Sequence, residues 1–313
     1  MNFNIKNWEL LDKQQYFPYD LKITLKPCYK CNQKCWFCKE YDNNSKQWSY
    51  DDCLLVLDKL KTLPDKFKKI FIYFYGGEPT LNPNLEFIIQ ELYKILGNRI
   101  AKIQIQTNLS ISIDRLKNFK QPNLEICSSY HIGKQDVSEF ILKLRKLKEI
   151  NILGYCFINT EYNKEKQFIQ EFNLLAKEIP NHLKMRFTID YTKNPVDYRD
   201  YFYFSKKYPY LMNYLEQEYK FKINNSNDKV IGYDEAYNKK YHEQLYLTKC
   251  SCVAQNLVID NNLNVYCCND YAKPEYNINP INIKDLDFNL YFKDYVICRL
   301  KQCNDGLEFK KWR

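Results

Sequence analysis

The sequence predicts an α/β protein: a partial (β/α)6 barrel of the TIM-barrel type with a small C-terminal cysteine-rich α+β auxiliary domain. Three observations carry this. Six short β-rich runs alternate with amphipathic helical stretches between Asp20 and Asp190. Their connections are short, which favours parallel strands joined by right-handed crossovers. After Tyr191 the alternation gives way to a Tyr- and Lys-rich region, and a second cysteine-dense segment begins at Cys250.

The predicted strands are Leu21–Leu25, Lys69–Tyr75, Lys102–Gln106, Leu124–Ser128, Ile152–Ile158 and Met185–Asp190, and the intervening helices Asp51–Leu63, Pro83–Leu96, Ile113–Phe119, Val137–Glu149 and Lys164–Glu178. Asn82 followed by Pro83 reads as a helix start, because Asn caps free amides and Pro suits the first helical position. In a barrel of this kind functional groups gather at the C-terminal ends of the strands. A boundary in the polar stretch Asn224–Asp228 divides a core domain, residues 1–223, from an auxiliary domain, residues 224–313.

The formal charge of +9 accompanies abundant Lys, Asn, Ile and Tyr and only seven glycines. It is scattered along helical faces, not gathered in one stripe, and so argues against a nucleic-acid partner. No apolar stretch approaches membrane-spanning length, the longest being Ile70 to Tyr75, and Met1 to Trp8 has no signal-peptide core. A cytoplasmic chain is expected. Thirteen cysteines in such a chain point to metal or redox chemistry and not to a disulfide framework.

After the first strand comes Cys28-Tyr-Lys-Cys31-Asn-Gln-Lys-Cys35-Trp-Phe-Cys38, which contains C-x3-C-x2-C. Three close thiolates can hold three irons of a [4Fe–4S] cube and leave the fourth open. Zinc ribbons separate their cysteine pairs more widely, and ferredoxin-type carriers space them as C-x2-C-x2-C-x3-C. Gly76-Gly77-Glu78-Pro79 closes the second strand, two glycines together suggesting a sharp turn or a close backbone approach. Asn108, Ser128, Ser129, His131, Asn159 and Asp190 stand at later strand ends, each also readable as a turn residue or cap.

The cysteine loop and the Gly-Gly-Glu-Pro turn together resemble the radical SAM superfamily. The resemblance implies that Cys31, Cys35 and Cys38 bind a [4Fe–4S] cluster, and that Gly76, Gly77, Glu78 and Pro79 surround the amino group of S-adenosylmethionine (SAM). Cys28 falls outside the triad, as a spare thiol. Gln106-Thr-Asn108 is similar to the family's TNG segment, with Leu109 in place of Gly, and Ser129 stands where many members place a SAM-contacting serine.

Six cysteines crowd the last 64 residues: Cys250, Cys252, Cys267, Cys268, Cys298 and Cys303. Between them Leu257 to Tyr266 reads as a hairpin turning at Asn261-Asn262. This resembles the C-x9–15-G-x4-C element of SPASM and twitch domains, with Asn262 replacing Gly. The resemblance implies one auxiliary [4Fe–4S] cluster on Cys252, Cys267, Cys298 and Cys303, a zinc site on the same thiolates being the rival.

The implied enzyme cleaves SAM reductively to a 5′-deoxyadenosyl radical and abstracts a hydrogen atom from a peptide, a protein or a small molecule. It would draw its electron from a donor such as flavodoxin or ferredoxin. The alternative is a non-catalytic iron–sulfur or zinc-binding electron carrier or regulator.

Overall fold

The computed structural model describes residues 18–36, 38, 42–186, 203–204, 206–214, 249–250, 252–268, 280–292, 296–297 and 311–312. The proposed boundary at 224–228 lies outside them, as do Asp190, Cys298 and Cys303. For Cys250 and Cys252 the backbone alone is described.

Strand and helix alternate in the expected order. β1 (Leu21–Leu25), α1 (Tyr50–Lys61), β2 (Ile70–Phe74), α2 (Leu85–Leu96), β3 (Ile100–Thr107) and α3 (Ile113–Lys117) are followed by β4 (Leu124–Tyr130), α4 (Val137–Glu149), β5 (Leu153–Asn159), α5 (Glu165–Glu178) and β6 (Leu183–Arg186). The six strands lie side by side in chain order, each parallel to the next. Period-2 patterning decides which face the helices cover. Ile70, Ile72 and Phe74 of β2 join a core with Val56 and Leu60 of α1 and Ile88 and Leu92 of α2, while Phe71 and Tyr73 on the opposite face stay half-buried.

Local chemistry sets the element ends. Ser49 starts α1 through a capping box with Asp52, whose carboxylate accepts from the Ser49 amide at 2.9 Å. Asp136 caps α4 by accepting from Glu139 N. The helix expected from Pro83 begins instead at Leu85, preceded by a 3-10 turn at Pro79–Leu81. The buried Asn82 side chain does not cap that helix; its Nδ2 donates to the carbonyls of Pro27 and Trp48, and its Oδ1 accepts from Asn84 N.

After β7 (Lys249–Cys250) comes a C-terminal hairpin that is joined to the β1–β6 sheet. β8 (Asn256–Ile259) pairs antiparallel with β9 (Asn264–Tyr266) and parallel with β1, and β9 pairs with β10 (Ile281–Asn282), giving the order β10-β9-β8-β1-β2-β3-β4-β5-β6 among the described residues. The turn differs from expectation: the left-handed residue is Leu263, with φ 65°, and not Asn261 or Asn262. Asp260 makes this possible by accepting from the amides of Asn262 and Asn264. A separate small sheet pairs Lys249–Cys250 with both Val296–Ile297 and Lys311–Trp312.

Candidate active site

The cysteine loop leaves the end of β1 and returns to its own base, where Cys28 bridges Gln47 and Trp48 N donates to Pro27 O at 3.0 Å. Its first residues are fastened to the end of β2. Gly77 N donates to Cys28 O at 2.9 Å and Glu78 N to Lys30 O at 2.8 Å. Only glycine fits here. A Cβ on Gly77 would stand 2.3 Å from the carbonyl oxygens of both Tyr29 and Lys30, and one on Gly76 would stand 2.5 Å from Cys28 O. Gly76 also has φ +128°, which side-chain-bearing residues rarely adopt. The two glycines therefore seat the cysteine loop itself.

Glu78 is fully buried and ties β2 to β3. Its Oε1 accepts from Thr80 N at 3.1 Å, Thr80 Oγ1 at 2.5 Å and Thr107 Oγ1 at 2.8 Å, and its Oε2 accepts from Asn108 N at 2.6 Å. Burial pushes its acidity down, that is, its pKa up, and these donors pull the other way. A carboxylate so engaged acts as a brace between the two strands. Pro79 is buried beside it.

Asn108 reaches from β3 to the cysteine loop: its Nδ2 donates to Asn32 Oδ1 at 2.9 Å and lies 3.7 Å from Cys31 Sγ. Leu109, where a glycine was the family expectation, adopts φ 54° and is buried. Ser129 accepts from Gln106 Nε2 at 2.8 Å, a contact between neighbouring strand ends. His131 is half-buried, and its Nδ1 lies 3.6 Å from Cys35 Sγ. Desolvation lowers its pKa to about 4.

Cys31 and Cys35 are free, half-buried thiols and Cys38 is exposed, its amide donating to Cys35 O at 3.0 Å. Burial raises the pKa of Cys31, and that of Cys35 to about 12, with the neighbouring thiols adding to both. Among the described residues no three His, Cys, Asp or Glu side chains are drawn to one point as a ready metal site. The donor set nevertheless suits thiolate ligation of a [4Fe–4S] cluster. Gln33 N donates to Cys31 Sγ at 3.4 Å, and Asn108 and His131 place nitrogens beside Cys31 and Cys35, the kind of contact that stabilises cluster sulfur. Cys28, buried, accepts from Gln47 Nε2 at 3.1 Å.

Sequence reasoning passed over Lys26 and Gln47 and read Asn82 only as a helix cap; all three hold this loop. Lys26 is almost wholly buried, its Nζ 5.5 Å from the centroids of both Tyr29 and Tyr75. A lysine at period 2 with Lys22 and Thr24, against an apolar opposite face, was the available signal.

In the C-terminal segment Cys267 follows β9 and its carbonyl accepts from Asn256 Nδ2 at 2.9 Å; Cys268 is buried. The structure thus brings Cys267 back beside the start of β8, four residues after Cys252.

Residues 25–153 match the sequence profile of the Radical SAM superfamily. The chain is 27% identical over 165 residues to an uncharacterised protein of Methanocaldococcus jannaschii, covering 48% of this chain and 56% of that one. It is 25% identical over 139 residues to 7-carboxy-7-deazaguanine synthase of Haemophilus influenzae, covering 44% and 60%. It is 27% identical over 176 residues to GTP 3′,8-cyclase of Clostridium perfringens, covering 54% and 51%. The chain thus spans between half and three fifths of these relatives. In fold it resembles anSMEcpe, solved with bound AdoMet, at TM-score 0.60 and 17% identity over 88% of this chain and 80% of that one. SuiB of Streptococcus suis, bound to S-adenosylmethionine, gives TM-score 0.54 and 17% identity over 93% and 66%.

Proposed function

We propose that this protein is a radical SAM enzyme that cleaves SAM reductively and abstracts a hydrogen atom from a peptide, protein or small-molecule substrate. The observation that carries the reading is the seating of the Cys31–Cys38 loop on the Gly76–Gly77 turn, with Glu78 locking that turn to Asn108. Cys31, Cys35 and Cys38 would hold a [4Fe–4S] cluster, and three protein ligands leave one iron for SAM. When bound, the cluster supplies the single electron that splits SAM into methionine and a 5′-deoxyadenosyl radical.

The chain's own residues do the rest. Asn108 orients the loop through Asn32, and the backbone of Gly76 to Pro79 offers carbonyl acceptors for an ammonium group. Ser129, on the adjoining strand end, is placed to contribute a hydroxyl to SAM. The helix-free sheet face would position the substrate and exclude water. A flavodoxin- or ferredoxin-like donor would supply the electron.

The C-terminal cysteines Cys252, Cys267, Cys298 and Cys303 are proposed to hold an auxiliary [4Fe–4S] cluster in the 224–313 domain. Pairing of Val296 with Cys250 supports this, since it makes the chain segments leading to Cys252 and Cys298 neighbours. Among the described residues no helix is long and apolar enough to cross a membrane.

The test is release of 5′-deoxyadenosine from anaerobically reconstituted protein given dithionite and SAM. Wild type should release it, and the Cys31→Ala, Cys35→Ala, Cys38→Ala triple variant should not. Absence of release from fully iron-loaded wild type would contradict the reading.

A further inference from the structure

The apolar stripe of α4 is interrupted by a lysine. Phe140, Leu144 and Leu147 face the core at helical spacing, and Lys143, in the same buried stripe, is only 8% exposed. An ammonium taken out of water is costly unless it is paired and hydrogen-bonded, so packing alone would favour an apolar residue there. Lys143 Nζ has two partners: Glu139 Oε1 at 2.7 Å, on an exposed side chain, and Leu109 O at 2.9 Å, in the buried turn after β3. The first is a surface pair at i,i+4. The second ties α4 to the turn beside the cysteine loop.

That turn needs holding. Leu109 is wholly buried and has φ 54°, a left-handed conformation that favours glycine. Its two flanking peptides are each bonded at both ends. In the peptide before it, Leu109 N donates to Thr107 Oγ1 at 3.0 Å and Asn108 O accepts from Gln135 Nε2. In the peptide after it, Leu109 O accepts from Lys143, and Ser110 N donates to Asn108 Oδ1 at 2.9 Å. Two of these bonds come from outside the turn, from Gln135 just before α4 and from Lys143 within it.

The result is a side-chain amide with one orientation. Asn108 Oδ1 is taken by Ser110 N, so Nδ2 faces the cysteine loop, where it donates to Asn32 Oδ1 at 2.9 Å and lies 3.7 Å from Cys31 Sγ. Rotation of the Leu109–Ser110 peptide would carry Ser110 N away from Oδ1 and release the amide. Lys143 holds the carbonyl of that peptide.

We propose that Lys143 and Gln135 are positioning residues for the cluster site: by holding the carbonyls of Leu109 and Asn108 they aim the Asn108 amide at Cys31 and so raise the reduction potential of the cluster. This rests on the radical SAM reading above and adds to it two residues outside the cysteine and glycine motifs. The physical link is charge. Reduction adds an electron to the cluster, and a donor beside a ligating thiolate stabilises the more negative state.

The test is a redox titration of anaerobically reconstituted, full-length protein followed by electron paramagnetic resonance, using the signal that SAM alters. Asn108→Ala should move its midpoint to a more negative potential, by up to about tenfold in the one-electron reduction equilibrium, or about 59 mV. Lys143→Met and Gln135→Ala should move it in the same direction with iron per chain unchanged. Because both act through Asn108, neither should move it further in an Asn108→Ala background. A merely structural lysine would lower the melting temperature without this dependence on Asn108. If Lys143→Met does not fold, half-buried Gln135 decides by the same comparison. An unmoved midpoint in Asn108→Ala, or in Gln135→Ala and a folded Lys143→Met, would overturn the proposal. So would a shift of equal size with and without Asn108. Failure of the radical SAM reading would show separately, as no SAM-responsive signal from iron-loaded wild type.

Discussion

The two cysteine regions are held in opposite ways. The Cys28–Cys38 loop is an excursion fixed by backbone hydrogen bonds to a glycine turn, with no room for a single added carbon. The Cys252–Cys268 hairpin is an extension of the sheet, held by β8 pairing with β1 and by Trp48 Nε1 donating to Asp260 O at 2.9 Å. A loop held by close approach depends on the absence of side chains, whereas a hairpin held by strand pairing tolerates them. Leu263 accordingly occupies a left-handed position that the resemblance would give to the neighbourhood of a glycine, while Gly76 and Gly77 cannot be replaced.

The largest expected effect that would break this contrast is at Gly77. A valine there must displace the carbonyls of Tyr29 and Lys30, so Gly77→Val should lose both iron and SAM binding, read as iron per chain after anaerobic reconstitution. Full iron occupancy with weakened SAM alone would mean that the turn meets SAM and does not seat the loop. Next, if the regions bind independently, the Cys31→Ala, Cys35→Ala, Cys38→Ala variant should retain roughly four irons per chain, the content of one cubane. Zinc in their place would assign the C-terminal cysteines to a structural site, and neither metal would remove their metal role.

A smaller effect is expected at Glu78. Thr80 N bonds one oxygen and Asn108 N the other, so either orientation of a glutamine amide sets its NH2 against a backbone N–H. Glu78→Gln should cost about 2–4 kcal/mol by thermal or denaturant melting, the penalty for an opposed buried donor. A loss within experimental error would mean that Glu78 is not a brace. The smallest is Trp48→Phe, which removes one buried hydrogen bond to the hairpin and should cost about 1 kcal/mol with iron at the first site unchanged.

Much of the barrel was legible because its strands alternate: residues such as Ile70, Ile72 and Phe74 declare a helix-covered face by period 2 alone. The sequence spacing also gathered Cys31, Asn108, Glu78 and Ser129 on adjacent strand ends. What it could not reveal was non-local. The parallel pairing of β8 with β1 joins residues more than two hundred positions apart, and no local pattern encodes it. Nor does composition distinguish a glutamate that meets a ligand from one that braces two strands; that follows from Thr80, Thr107 and Asn108 surrounding Glu78. The helix start at Pro83 failed because Asn82 was claimed by the carbonyls of Pro27 and Trp48.

If Cys31, Cys35 and Cys38 hold a cluster with one iron left for SAM, that cluster should answer to SAM in electron paramagnetic resonance of the reduced Cys252→Ala, Cys267→Ala protein. A single cluster signal should appear, change on saturation with SAM and disappear when Cys31, Cys35 and Cys38 are also replaced. A cluster signal indifferent to SAM, or one that survives loss of those three cysteines, would contradict it.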